Sequence, residues 1–399
     1  MPEKVKQIIA TLQNAGYEAY IVGGCVRDSL LGRIPEDWDI TTSAKPAQIK
    51  ALFRRTVDTG IKHGTVTVLL GHDSFEVTTY RIDGIYEDGR HPKSVSFTEN
   101  LSEDLRRRDF TINAMAYNDR DGFVDLFDGR EDLRKGIIRC VGDAKERFEE
   151  DALRILRAVR FSAQLDYRIE AHTREAISLF CDRLQMISAE RIRTELQKLL
   201  LSDHPDRLRD LSELGITRIV LPEYDGYENA LREDLIRALM RAEPSHIVRL
   251  AILLLPLGKD AIFVLRRLKY DNKSMTAVTK LVEHAEDAPG ITPESVRRSI
   301  VLTGTELMPA MFSLKKALGH QEADYIADYE NMYRKIIADR DCLSVKDLAL
   351  GGDDLIRECG MKPGREIGEA LQYLFERVLT DPSLNRRDML LALIRDRRE

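Results

Sequence analysis

No apolar run in this chain is long enough to cross a bilayer. The longest, Leu250 to Leu257, has eight residues and contains Pro256, against the ~20 that a spanning helix needs. Cysteine is scarce: the five at positions 25, 140, 181, 342 and 359 are odd in number and far apart. They match neither a disulfide framework nor a zinc-ligand spacing, and they fit a reducing cytoplasm. Met1-Pro2-Glu3-Lys4 leads straight into an amphipathic helical pattern without the apolar stretch of a signal peptide. Repeats and low-complexity tracts are absent from the sequence. An excess of positive charge is also lacking. The net charge of −6 argues against a protein that coats nucleic acid by bulk attraction. Local basic clusters exist nonetheless: Arg106-Arg107-Arg108, the arginines from 154 to 160, and Arg386-Arg387 with Arg397-Arg398. The distribution of charge is therefore more informative than its sum.

What is present is the balance of a soluble globular protein, 43% hydrophobic and 32% charged over 399 residues, long enough for several subdomains. The N-terminal part mixes short β-type runs with short helices. Ala19 to Val22 and Trp38 to Thr42 read as strands, and Thr65 to Leu70 with Phe75 to Tyr80 as a hairpin around Gly71-His72-Asp73. After about residue 144 the β signal fades and helical periodicity continues, broken near 202–206, 222–226, 288–293 and 351–352. The expected class is α+β: an α/β head at 1–144 followed by all-helical segments at 145–201, 202–290 and 291–399.

Asp37-Trp38-Asp39-Ile40 spaces two carboxylates by two residues, and a strand's period of two puts both on one face. Such a pair repels itself unless a hard divalent cation lies between. Alone, a D-x-D is most often a solvated turn. Here it follows Gly23-Gly24-Cys25-Val26-Arg27-Asp28, a strand end opening into a helix. Glycine there lets the backbone approach a phosphate, the helix start offers unpaired N–H groups, and Arg27 can add a bidentate guanidinium. Glu76, in the hairpin, is the candidate third carboxylate, although an outward-facing strand residue reads the same way. Farther on, Glu150-Asp151-Ala152-Leu153-Arg154 continues to Arg157 and Arg160. At that spacing Asp151, Arg154 and Arg157 share one helix face and Leu153, Leu156 and Val159 the opposite one. Three arginines so close repel one another unless they meet phosphates or carboxylates.

In combination these motifs resemble a known family. Gly23-Gly24-x-Val26-Arg27-Asp28 with Asp37-x-Asp39 is similar to the first motif of the DNA polymerase β nucleotidyltransferase superfamily, in its tRNA nucleotidyltransferase and bacterial poly(A) polymerase branch. Glu150-Asp151-x-x-Arg154 resembles the E-D-x-x-R motif of class II CCA-adding enzymes, and Arg107-Arg108-Asp109-Phe110-Thr111-x-Asn113 their R-R-D-F-T-x-N segment. The resemblance implies a small polymerase-β-like head with a mixed sheet, followed by an all-α neck, body and tail. It implies two Mg²⁺ held by Asp37 and Asp39 as catalytic carboxylates, and a nucleotide site built from Gly24, Arg27, Arg108, Arg157 and Arg160, with Asp109 and Asn113 near the ribose. Asp151 and Arg154 would be a protein template. A carboxylate accepts from the amino group of cytosine or adenine and a guanidinium donates to the adjacent ring nitrogen, whereas guanine and uracil present the reverse order.

Residues 125–139 resemble the head–neck hinge, and Ile187 to Leu196 a bracing neck motif. In the family, body and tail grip the tRNA. The implied activity is template-independent addition of C, C and A to the tRNA 3′ end from CTP and ATP, releasing pyrophosphate, with no membrane and no obligate protein partner. Rival readings are an A-adding or CC-adding enzyme, a bacterial poly(A) polymerase, and a catalytically dead tRNA-binding module. Against the poly(A) polymerase stands the Thr59 to Val66 pattern, against a CC-adding enzyme the intact Arg81 to Pro92 loop, and against a dead module the presence of both Asp37 and Asp39.

Overall fold

The structure is a computed structural model that describes residues 1–84, 95–224 and 233–398. The loop read from Arg81 to Pro92 therefore lies, from residue 85 on, outside the described residues. The chain divides into two compact units, one of residues 1–231 with 267–269 and the other of 232–266 with 270–399.

The first unit begins with α1 (Glu3–Asn14), whose Val5, Ile8, Ile9 and Leu12 form a buried stripe at helical spacing. Then come β1 (Ala19–Val22), α2 (Gly24–Leu30), β2 (Ile40–Thr42), α3 (Pro46–Leu52), β3 (Thr56–Gly60), β4 (Thr65–Leu70) and β5 (Asp73–Thr79). They are followed by β6 (Arg81–Asp83), β7 (Val95–Phe97), α4 (Leu101–Arg106), β8 (Met115–Asn118) and β9 (Gly122–Asp125). Seven strands form one sheet in the order β3-β4-β5-β2-β1-β8-β9. It is mixed: β2 and β5 run parallel, and the other neighbours antiparallel.

All four residues of β1 are buried because both faces are covered. Ala19 and Ile21 join the apolar cluster with α1 and Ile49 of α3, whereas Tyr20 and Val22 join Tyr80, Leu101 and Leu105 on the other side. The head expected from the sequence, its hairpin included, is borne out. The second strand is shorter than expected, starting at Ile40 rather than Trp38. Its partner β1 ends where Gly23 turns at φ 80° into α2, so only the Asp39 carbonyl still accepts from the Val22 N–H, at 3.0 Å. Asp37 and Trp38 precede the ladder.

After β9 come α5 (Gly129–Lys135), still within the segment read as head, and then α6 (Ala144–Glu150), α7 (Leu153–Leu165), α8 (Ala171–Phe180) and α9 (Ala189–Leu200) over the segment read as neck, with α7 packed on α9. A short parallel pair, β10 (Ile137–Ile138) and β11 (Arg168–Ile169), ties the segment after α5 to the segment after α7. Two-residue strands carry too little pattern to be seen in sequence.

The second unit is helical among its described residues. One apolar cluster gathers Val296, Ile300, Phe312 and Tyr329, and another Leu355, Leu374, Phe375 and Leu390. Among the described residues no helix is long and apolar enough to cross a membrane, and all five cysteines are free thiols.

Candidate active site: a cavity between carboxylates and arginines

An open cavity of about 820 Å³ in the first unit is lined by Gly23, Gly24, Asp37 and Asp39 from the head and by Arg157, Arg160 and Phe161 from α7. Loss of hydration raises the Asp39 pKa, opposed by the Arg108 guanidinium and reinforced by Asp37. Glu76 stands one residue before Val77, the partner of Ile40, so the parallel register sets it level with Asp39. Its pKa is raised by lost hydration and then by the charges of Asp39 and Asp37. The three carboxylates therefore feel one another. Among the described residues, no group of three His, Cys, Asp or Glu side chains meets the spacing of a self-sufficient metal site.

Arginines line the same cavity. Arg27, on α2, donates to both oxygens of Asp28 at 2.9 Å and to Asn113 Oδ1 at 2.8 Å. The fork expected to meet a triphosphate is thus carried on a carboxylate. Arg108 lines the cavity and donates to Asp104 Oδ2 at 3.2 Å. Asp104 is wholly buried and also accepts from Arg107 and the Arg81 backbone. A Cβ added at Gly23 would lie 3.1 Å from Arg108 Nη1, so glycine here meets two demands, the positive φ and the close approach.

From α7, Arg157 donates Nε and Nη2 to Asp109 Oδ2 at 2.8 and 2.5 Å. Asp109 Oδ1 accepts from the Phe110 N–H and from Asn113 Nδ2. Burial alone would raise the Asp109 pKa, but the Arg157 guanidinium and these donors hold it well below the usual carboxylate range. Arg160, 6% exposed, approaches Glu195 of α9 at 2.6 Å. Burial lowers its pKa to about 10 against the attraction of Glu195, so it stays cationic at neutral pH.

The geometry corrects one expectation. Asp151 does not share a helix face with Arg154 and Arg157. It stands in the break between α6 and α7, where its Oδ1 caps α7 by accepting from the Leu153 N–H at 3.0 Å. Its carboxylate also takes Arg191 Nη2 at 2.7 Å rather than Arg154. Arg154 in turn pairs with Glu150 at 2.5 Å and donates to the Arg107 carbonyl at 2.8 Å. An aspartate makes a better N-cap than a helix-interior residue, which explains the break. The cavity is lined by Gly24, Arg27, Asp37, Asp39, Arg108, Asp109, Asn113, Arg157 and Arg160, whereas Asp151, Arg154 and Glu76 are outside its lining. Sequence reading missed Phe161, Asp28 and Lys198. Phe161, one helical turn after Arg157, carried a detectable signal, an aromatic at i,i+4 from an arginine.

Three family models match consecutive stretches of the chain. They describe a Poly A polymerase head domain at residues 19–139, an RNA and SrmB-binding site of polymerase A at 166–227, and a tRNA nucleotidyltransferase domain 2 at 243–394. The CCA-adding enzyme of Lactiplantibacillus plantarum is 37% identical over 98% of this chain and 96% of its own length. That of Limosilactobacillus reuteri is 37% identical over 99% and 96%. The chain belongs to the CCA-adding enzyme family. The CCA-adding enzyme of Bacillus stearothermophilus, solved in complex with CTP, superposes at a TM-score of 0.86 with 33% identity, covering 100% of this chain and 98% of that one. The Thermotoga maritima CCA-adding enzyme complexed with tRNA, 22% identical, shares the fold at a TM-score of 0.65 over 100% and 97%.

Proposed function

We propose that this chain adds C, C and A to the 3′ end of tRNA in the cytoplasm, using CTP and ATP in turn in the one head–neck cavity. The observation that carries the reading is that Asp37 and Asp39 line one cavity together with Arg27, Arg108, Arg157 and Arg160. Asp37 and Asp39 would hold two Mg²⁺, with Glu76 as the facing third carboxylate. The donor set fits a hard dication, because charge crowding among these groups is relieved by a cation with oxygen preference. Bound there, Mg²⁺ would favour the alkoxide form of the RNA 3′-hydroxyl and offset charge on the departing pyrophosphate.

The protein's own contribution is orientation. Arg108 and the arginines of α7 bind triphosphate oxygens, and Gly23-Gly24 lets the backbone approach them. Asp109 and Asn113, already hydrogen-bonded to each other, lie beside the ribose. Asp151 and Arg154 read the pairing edge. To do so each exchanges a partner, Arg191 for one and Glu150 for the other. Body and tail, 202–290 and 291–399, hold the tRNA. Competition binding tests the reading. With Mg²⁺ present, CTP and ATP should exclude each other from one site, while UTP and GTP bind at least about tenfold more weakly. Simultaneous binding of CTP and ATP would contradict it.

A further inference from the structure

One ring sits among three of the cavity's cations. The Phe161 centroid lies 3.8 Å from the guanidinium carbon of Arg160, 5.1 Å from that of Arg27 and 5.4 Å from that of Arg157. The side chain is 4% exposed and abuts Phe110 edge to face, with centroids 5.8 Å apart. Each arginine meets a carboxylate: Asp28 for Arg27, Asp109 for Arg157, and Glu195 for Arg160, with Glu195 also 4.0 Å from Arg157 Nη1. Those carboxylates neutralise charge, but they consume N–H donors. A π face attracts a guanidinium through its quadrupole without accepting a hydrogen bond from it. It can gather like charges that would otherwise spread apart and leave their remaining donors for phosphate oxygens. An aliphatic side chain of the same size would fill the space and supply no such attraction.

We propose that Phe161 is a positioning residue for triphosphate recognition, its ring holding Arg27, Arg157 and Arg160 in the arrangement that receives either nucleotide. The inference rests on reading the cavity as the nucleotide pocket. The close cover by Arg160 makes the ring a support for the arginines and leaves no room for a base to stack on that face. It follows that CTP and ATP depend on Phe161 equally.

The test replaces Phe161 with 4-fluoro-, 3,5-difluoro- and 3,4,5-trifluorophenylalanine, which keep the shape while weakening the quadrupole stepwise, and compares these with Phe161→Leu. Single additions are followed, CTP on tRNA lacking all three terminal nucleotides and ATP on tRNA lacking only the last. The KM for both nucleotides should climb with fluorine number, reaching about tenfold at three fluorines, while kcat stays within about twofold. A flat series with a loss only in Phe161→Leu would mean that the ring merely fills space and would overturn the proposal. A steeper loss for ATP than for CTP would point to base stacking and overturn it too. Wild-type protein that fails to bind both nucleotides competitively would overturn the pocket reading along with it, whereas a flat series on a competent wild type overturns the role of Phe161 alone.

Discussion

Replacing Asp109 by Asn tests whether the cavity's arginine wall is held electrostatically. The substitution keeps the size and the oxygen that accepts from the Phe110 N–H and Asn113 Nδ2. It removes the charge that Arg157 meets through two donors at 2.8 and 2.5 Å. Breaking a fully buried ion pair from one side costs about 3–5 kcal/mol, because the survivor is left uncompensated. Asp109 is 9% exposed at its side chain but Arg157 33%, so water partly resolvates the orphan and the lower end, ~3 kcal/mol, applies. The Asp109 pKa is depressed in the folded protein. Its contribution is therefore complete above the unfolded carboxylate value of ~3.9 and is lost as pH falls from there through the folded pKa. The gap between wild type and variant should be constant at neutral pH and close on acidification below about pH 4.

The single tryptophan, Trp38, packs against the head core, so its fluorescence during urea unfolding reports on this unit. Adding Arg157→Met should recover most of the loss, since neither charge then remains unpaired. A loss under about 1 kcal/mol without pH dependence, or a double variant whose losses simply add, would refute the argument.

Other expectations follow from the same geometry. Asp37→Ala or Asp39→Ala should abolish incorporation of C and A alike while tRNA binding, measured by filter retention, stays within about twofold; near-normal turnover would sink the metal assignment. Asp151→Asn keeps an oxygen to cap α7 but turns a donor toward the base, and Arg154→Ala removes the second contact. Each should lower selectivity against UTP and GTP by about tenfold or more, whereas unchanged selectivity at a reduced rate would make them structural. Gly23→Ala combines φ 80° and ψ −132° with a Cβ 3.1 Å from Arg108 Nη1, so it should cost about 1–3 kcal/mol and raise the nucleotide KM. Gly122→Ala, at φ 76° with open space around its Cβ, should cost similar stability and leave KM alone. Equal KM effects would separate the pocket from Gly23.

The parts of this molecule that were legible in its sequence are those where one local pattern decides the outcome. Ala19 to Val22 ending at a glycine pair, the hairpin around Gly71-His72, and the stripe on α1 all announced themselves by period or turn chemistry. The gathering of Gly24, Arg27, Asp37, Asp39, Arg108, Arg157 and Arg160 on one cavity was legible only through the family resemblance of their motifs, because these residues come from distant parts of the chain. What escaped depends on competition between partners. Periodicity carried Asp151 into a helix, but capping α7 and pairing with Arg191 both favour a break there. The strand at Asp37 stops short because its neighbour turns away at Gly23, a tertiary event invisible from Asp37 itself. Phe161 reads as one more core residue until three arginines are seen to converge on it from two helices. Asp104 belongs to a run of charges that resembles surface, yet it is wholly buried beneath Arg107 and Arg108.

The central claim is that one cavity serves two different bases in a fixed order. Product length on a tRNA ending at the base before the missing triplet, with CTP alone, ATP alone and both together, tests it most directly. Two residues added from CTP, almost none from ATP alone, and a sharp stop at three with both is the predicted result. A lengthening adenosine tail from ATP alone, or an arrest after two residues when both nucleotides are supplied, would contradict it.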